Sequence, residues 1–369
     1  MTASLEAELN RVELTTADRR VLVDTVQRLF EAESREAAVR AAMASDLGYD
    51  RDLWRQMSAL GLIGLLIDPQ HGGSGLGPVE LELIMEQVGA ALLCGPFLSS
   101  AVLAPALLGA LGYSEPLAGI AAGTTIATVA IAGAKGGWTE QSVDLEARSG
   151  RLYGTSGYVT DANAAELILA VAKGEGGIEI HALDARAPGV QIEPLPTFDA
   201  TRRLAHVQFD GVEANRIGAG WAGVETALDY ARVALAGEQA GGARAMLDRT
   251  VRYATERYQF GRSIGSFQAI KHMAADLLLE TESAISAARH AAERLAAGEA
   301  DASGAISLAA FACADAFVET CATGIQMHGG IAFTWDHPAH LYLRRARSGA
   351  RLFGSPAFYR ERYVQSLGG

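Results

Sequence analysis

The sequence predicts a mainly α-helical protein in which a small antiparallel β domain lies between an N-terminal helical domain and a C-terminal four-helix bundle. Three observations carry that expectation. Apolar residues recur at helical spacing to about residue 117, short β-branched runs bounded by Gly, Asp and Pro fill the middle, and long helical periodicity returns from Trp221. The expected domains are 1–120, 121–218 and 219–369.

In the N-terminal domain, Val21 to Ala42, Arg51 to Leu60 and Val79 to Ala91 have helical periodicity. The glycine-rich run His71 to Gly77 interrupts them. It lacks the Lys and Ser/Thr that reach a phosphate and magnesium in a P-loop, so it reads as a connection between helices. Ala91 to Ser114 is uncharged, but Pro96, Pro105 and its glycines make it a buried helix pair and not a membrane span. The β runs are Thr125 to Ile131, Leu167 to Val171, Ile178 to Ala182 and Leu204 to Phe209. Beyond them Phe267, Ile270, Met273, Ala274, Leu277 and Leu278 mark one apolar helix stripe. Alanine-rich stretches between 284 and 316 allow helices to approach closely.

The 369 residues carry 31 basic against 43 acidic side chains, a net charge of -12 that repels nucleic acid and anionic lipid. Cys94, Cys313 and Cys321 are odd in number and widely spaced, which argues against a disulfide framework or a cysteine zinc site and for a cytoplasmic home. The first twenty residues carry early acids and no apolar run, unlike a secretory leader. Gly261-Arg-Ser-Ile-Gly265 matches a hydrolase nucleophile elbow, but Arg252 to Phe260 before it is polar and helical in pattern, not a buried strand. His328, His337 and His340 have no carboxylate at metal-ligand spacing, so they read as structural residues, with no metal expected.

The informative stretches are Arg257-Tyr-Gln-Phe-Gly261, continuing through Gln268 to Asp276, and Gln326-Met-His-Gly-Gly330 some fifty residues later. Together they resemble the acyl-CoA dehydrogenase family, and the likeness extends to Gly72–Gly77, Gly95–Ser100 and Leu195–Leu204. The resemblance implies the same three-domain fold, FAD as cofactor, assembly with itself or with a homologous subunit, and an acyl-CoA thioester as substrate. It also implies electron-transfer flavoprotein as oxidant. Carried over, Arg257, Phe260, Gln268, Gln326, Gly329 and Gly330 hold the pyrophosphate and adenosine of a flavin bound mainly by the neighbouring subunit. Arg supplies a planar fork for phosphate oxygens, and Gly admits close backbone approach. On the ring side, Tyr158-Val-Thr160 resembles the family's aromatic-x-Thr segment, with Tyr158 stacking on the flavin and Thr160 bonding its N5 edge; a plain strand is the other reading.

Family chemistry needs a glutamate to take the α-proton of the thioester. By the resemblance it stands either just before Arg232, where this chain has Ala231, or in a turn near the C-terminus, where it has Phe353. The flavin- and CoA-contacting loop corresponds to Ala130 to Trp138, which lacks the family's acid and serine. Glu238 lies seven residues after Ala231 on nearly the same helix face, yet roughly 10 Å further along the axis. Three expectations follow. The first is an FAD-completing, non-catalytic subunit of a heteromeric enzyme like those that desaturate steroid side-chain thioesters in actinobacteria. The second is a self-sufficient homo-oligomer with Glu238 as base, and the third a scaffold that binds no flavin.

Overall fold

The computed structural model describes residues 14–368; most of the acidic N-terminal stretch that differs from a secretory leader, 1–13, lies outside them. Eleven α-helices occur among the described residues: α1 (Thr16–Glu33), α2 (Glu36–Ala44), α3 (Arg51–Ala59), α4 (Pro78–Ala90), α5 (Ala104–Leu111), α6 (Leu117–Ala121), α7 (Ala222–Glu256), α8 (Gln268–Ala296), α9 (Ala302–His328), α10 (Ala339–Gly349) and α11 (Pro356–Ser366). The chain divides into two compact units. One is built mainly of Ala41–Gly77 and Cys94–Ala231, the other of Thr16–Arg40, Pro78–Leu93 and Arg232–Gly369.

The first unit holds the sheet. Its strands are β1 (Ala127–Ala130), β2 (Glu146–Arg148), β3 (Arg151–Thr160), β4 (Leu167–Gly174), β5 (Gly177–Asp184), β6 (Val190–Pro194), β7 (Leu204–Glu213) and β8 (Asn215–Ala219). They run in the order β6-β7-β3-β2-β4-β5-β8, with β1 beside β4. Pairing is antiparallel except that β1 and β2 each run parallel to β4. Leu152, Ile168, Val207, Phe209 and Val212 form its core. The uncharged stretch after Pro96 is a fully buried π-helical segment, Phe97–Leu103, that runs directly into α5, so one continuous helix stands where a pair was expected. Asp50 starts α3 by accepting the Asp52 and Leu53 N–H groups at 2.7 and 3.2 Å. The glycine run is a connection, as its composition implies: a Cβ at Gly73 would lie 2.0 Å from the Ile67 carbonyl oxygen.

The second unit is the bundle of α7 (from Arg232), α8, α9 and α11, joined by α1, α4 and α10. The predicted helix over 21–42 is broken at Ser34-Arg35, where the Ser34 hydroxyl donates to the Ala91 carbonyl at 3.3 Å. Alanines of α7, α8 and α9, among them Ala240, Ala288 and Ala309, pack into one core. In the predicted stripe, Leu277 is buried and Ile270, Met273 and Ala274 pack against it, whereas Leu278 turns outward. α9 is long and apolar enough by composition to cross a membrane, but Ile306, Cys313, Phe317 and Cys321 on it are buried in the bundle. α4 and α7 touch backbone to backbone. A Cβ at Gly89 would lie 1.8 Å from the Glu238 carbonyl oxygen, and one at Gly241 would lie 1.9 Å from that of Glu86.

Candidate functional site

Just past the end of α7 the chain turns through a minimal hairpin. Tyr258–Gln259 pairs antiparallel with Arg262–Ser263, leaving Phe260 and Gly261 as a two-residue loop. Their φ values of 54° and 78° are those of a type I′ turn, whose two central residues both need the left-handed region. Gly261 adopts it freely. A bulky residue there is a true outlier, so Phe260 sits in a strained conformation with its ring 91% exposed. Backbone bonds of 2.8 Å from the Arg257 N–H to the Tyr253 carbonyl, and from the Ile264 N–H to the Arg257 carbonyl, brace the hairpin. The Arg262 guanidinium lies 4.0 Å over the Phe267 ring, which Phe260 meets edge-on. This strand–turn–strand geometry excludes the nucleophile elbow that Gly261 to Gly265 suggests. Arg257 is exposed and makes no ion pair among the described residues. Gln268, the first residue of α8 and eleven positions further along the chain, is exposed as well.

The second motif ends α9. The Gly329 N–H returns to the Gln326 carbonyl, and Gly329 has φ 70° with ψ -151°, a combination open essentially only to glycine. Cβ atoms at Gly329 and Gly330 would meet nothing within 4 Å. At Gly330 the chain's own packing therefore gives no reason for the missing side chain. Beyond it Ile331, Phe333 and Trp335 are exposed, and Arg344 covers the Trp335 ring at 4.9 Å.

The two motifs are joined by a contact that sequence inspection misses. Tyr253, one turn before Arg257, stacks on His328, immediately before Gly329, with centroids 4.5 Å apart and planes 23° apart. Below that stack, Met327 packs with Leu247 and Leu277. The structure thus brings Arg257, Phe260, Gln268, Gln326, Gly329 and Gly330 to one end of the bundle. The histidines brace this end. His328 donates from Nδ1 to the Gly324 carbonyl at 2.7 Å, His337 accepts the Ala339 N–H at 3.2 Å, and His340 donates from Nε2 to the Trp335 carbonyl at 3.2 Å. Burial holds all three below the usual imidazole range. No group of three possible metal ligands occurs among the described residues.

Tyr158 and Thr160 belong to the other unit, on β3. Tyr158 lies in a β-bulge between Ser156 and Val159, has φ 54°, and is half-exposed with His206 edge-on at 5.9 Å. The bulge answers the strand alternative: a strand is present, and it is kinked at this residue. Thr160 is buried, and its carbonyl accepts the Thr128 hydroxyl at 2.6 Å. In the neighbouring loop the Ala134 N–H is taken by Asp144 at 3.0 Å, an acid from outside the Ala130–Trp138 segment.

At the two base positions there is no carboxylate. Ala231 is buried, and Phe353 is fully buried with φ 62°. The Tyr359 hydroxyl donates to the Phe353 carbonyl at 2.7 Å, and Arg232 lies 5.9 Å over the Tyr359 ring. Glu238 is buried and engages Arg345 through both oxygens, at 2.8 Å from Nε to Oε1 and 3.0 Å from Nη2 to Oε2. A carboxylate whose oxygens are both held by a guanidinium is poorly disposed to accept a substrate proton, so the geometry gives Glu238 the role of ion-pair partner.

Helical, sheet and helical segments in that order, with two glycine-bearing motifs joined at one end of the bundle, define the acyl-CoA dehydrogenase class of fold. The chain belongs to the acyl-CoA dehydrogenase family: its N-terminal domain matches residues 16–113 and its C-terminal domain residues 218–367. Acyl-CoA dehydrogenase IpdE2 of Mycobacterium tuberculosis is 35% identical over 92% of this chain and 94% of its own length. Among solved structures, the ChsE4-ChsE5 complex from the same organism superposes with a TM-score of 0.88 at 26% identity, covering 96% of this chain and 98% of that one. A variant of the Tcur3481-Tcur3483 steroid ACAD gives 0.87 at 27%, covering 95% and 98%.

Proposed function

We propose that this chain is the FAD-completing subunit of a heteromeric acyl-CoA dehydrogenase that α,β-desaturates a bulky, steroid-like acyl-CoA thioester. The observation that carries the reading is an asymmetry. The residues that would serve a neighbour's cofactor are presented to solvent and unpaired, while both positions for this chain's own base hold apolar side chains, Ala231 and Phe353. When bound, FAD supplies the hydride acceptor. Arg257 would hold the pyrophosphate, Phe260 would cover the adenosine side, and the open space at Gly330 would admit the nucleotide close to the backbone. These features fit the group: a strained, exposed aromatic tip is costly to keep without a ligand to cover it, and the Arg257 guanidinium is free to take a phosphate. Tyr158 at its bulge would face the flavin ring, with Thr160 beside it. The α-proton would go to a glutamate of the homologous partner, and the oxidant would be electron-transfer flavoprotein.

Assembly from two different chains accords with the paired names of both solved relatives, and a steroid-type substrate with that of the Tcur3481-Tcur3483 steroid ACAD. Three free, buried cysteines accord with a reducing cytoplasm. The self-sufficient alternative needs Glu238 as base, and its ion pair with Arg345 weighs against that. The flavin-free scaffold leaves the strained, exposed Phe260 without a purpose.

The test is flavin absorbance of the chain alone and after co-expression with a glutamate-bearing homologue, followed by anaerobic addition of steroid and fatty acyl-CoAs. Little flavin alone, with stoichiometric FAD bleached by thioester in the mixed complex, is expected. Full flavin and bleaching in the chain alone would overturn the heteromeric reading in favour of an autonomous enzyme. No flavin in either preparation would leave the scaffold.

A further inference from the structure

A cavity of about 490 Å³ opens in the helical unit between α1, α4 and α8, away from the hairpin and glycine turn. Its apolar wall is Val23, Val79, Leu83 and Ala292. The charged groups that line it are unevenly matched. Arg19 is spent on Glu80 at 2.8 Å, and Arg289 grips Glu86 through two bonds of 3.0 and 3.2 Å. That leaves Asp24, Glu82 and Glu293 against the single remaining cation, Arg20, among the lining residues.

Glu82 is the singular group. It is 1% exposed, and its Oε1 has no hydrogen-bond partner among the described residues although the side chain lines the cavity. A buried carboxyl oxygen left without a hydrogen bond is costly, so its retention calls for a partner. We propose that this cavity binds a small amphipathic amine, its ammonium group donating to Glu82 Oε1 and its hydrocarbon part lying on the Val23, Val79 and Leu83 wall. An ammonium is the fitting donor because the surplus of carboxylates over cations makes the cavity repel anions.

The occupant changes the protonation of its own site. Burial first, then the charge of Glu86 and a hydrogen bond shared with it, with Glu293 nearby, hold Glu82 well above the usual carboxylate range, which favours its protonated form when no cation is present. The other charged or titratable groups around it are Arg289 on α8, Arg19, Arg20 and Asp24 on the α1 side of the cavity, and Cys313 on α9, the last buried and pushed far above its ordinary value. An incoming ammonium favours the ionised form. Glu82 then releases its proton to solvent, and the ammonium–carboxylate pair replaces the neutral carboxyl.

The experiment is isothermal titration of the full assembled protein with n-octylammonium near neutral pH, in two buffers of different ionisation enthalpy, with octan-1-ol as control. Saturable binding of the amine, release of up to one proton per site, and at least tenfold weaker binding of the alcohol are expected. Glu82→Gln, neutral and nearly isosteric, should weaken amine binding at least tenfold and abolish proton release while the melting temperature stays or rises. Glu293→Gln should weaken it less, with proton release retained. No saturable binding, equal binding of the alcohol, or undiminished binding by Glu82→Gln would each overturn the proposal, leaving Glu82 as a proton-sharing partner of Glu86 alone.

Discussion

Glu238 and Arg345, 107 positions apart in sequence, form a bidentate ion pair with both side chains at most 5% exposed. Removing one member of such a pair strands the other charge in the interior. Glu238→Ala should therefore destabilise the protein by about 3–5 kcal/mol, and Glu238→Gln by less, as read by urea unfolding. Loss of thioester-dependent turnover at unchanged stability would instead restore Glu238 as a base.

Phe260 gives a second, opposite-signed expectation. A left-handed φ costs a non-glycine residue about 1–2 kcal/mol, and this exposed ring meets Phe267 edge-on. Phe260→Gly should raise stability by about 1 kcal/mol in denaturant titration and lower FAD retention by the mixed complex. A variant that gains stability and keeps all its flavin would remove Phe260 from the cofactor site.

Arg257→Ala tests the same site without touching backbone strain. The side chain is exposed and makes no ion pair among the described residues, so unfolding should shift by no more than about 0.5 kcal/mol. FAD content of the mixed complex should fall, which absorbance of the purified complex measures directly. A complex that retains its full FAD would refute the assignment.

The histidine brace sets a lower pH limit. Burial depresses His328 and His337 in the folded chain, and each also faces the other ring at 4.8 Å. The unfolded chain then binds protons more readily below about pH 6.5, so the stability they contribute is present above that value and lost as pH falls toward the folded values. The melting temperature should drop between about pH 6.5 and 5, and His337→Asn should flatten the drop.

Glu82 has the reverse sign. Its folded value is raised above the unfolded one of about 4.3, so its contribution is complete below that pH and declines as pH rises toward the folded value. Glu82→Gln should be most stabilising relative to the parent at alkaline pH, by thermal melts across a pH series. A stability difference independent of pH would show that Glu82 does not stay protonated.

Much of this architecture is legible in local pattern. α3 and the strands β4, β5 and β7 follow from short-range periodicity, and the pairing of residues 257–268 with 326–330 from the family resemblance alone. What escapes is long-range or conformational. Gln259 and Arg262 give little β signal, yet a tight turn pairs them; β3 carries Gly154 and Gly157 and is held by its partners β7 and β2. Leu278 continues the apolar stripe but faces outward, because α8 buries only part of that face. The Tyr253–His328 stack and the Glu238–Arg345 pair depend on where separate helices meet, which residue spacing alone does not encode.

The glycine crossing of α4 and α7 has a consequence for how the polar interior can change. With Gly89 and Gly241 admitting two backbones into direct contact, one helix cannot slide along the other, and the heights of Glu82, Glu86 and Glu238 are fixed as marks on a ruler. Divergence at these positions can alter the chemistry of a side chain but not its placement. An aspartate at 238 would fall one methylene short of Arg345, with no slide of α7 along α4 able to close the gap.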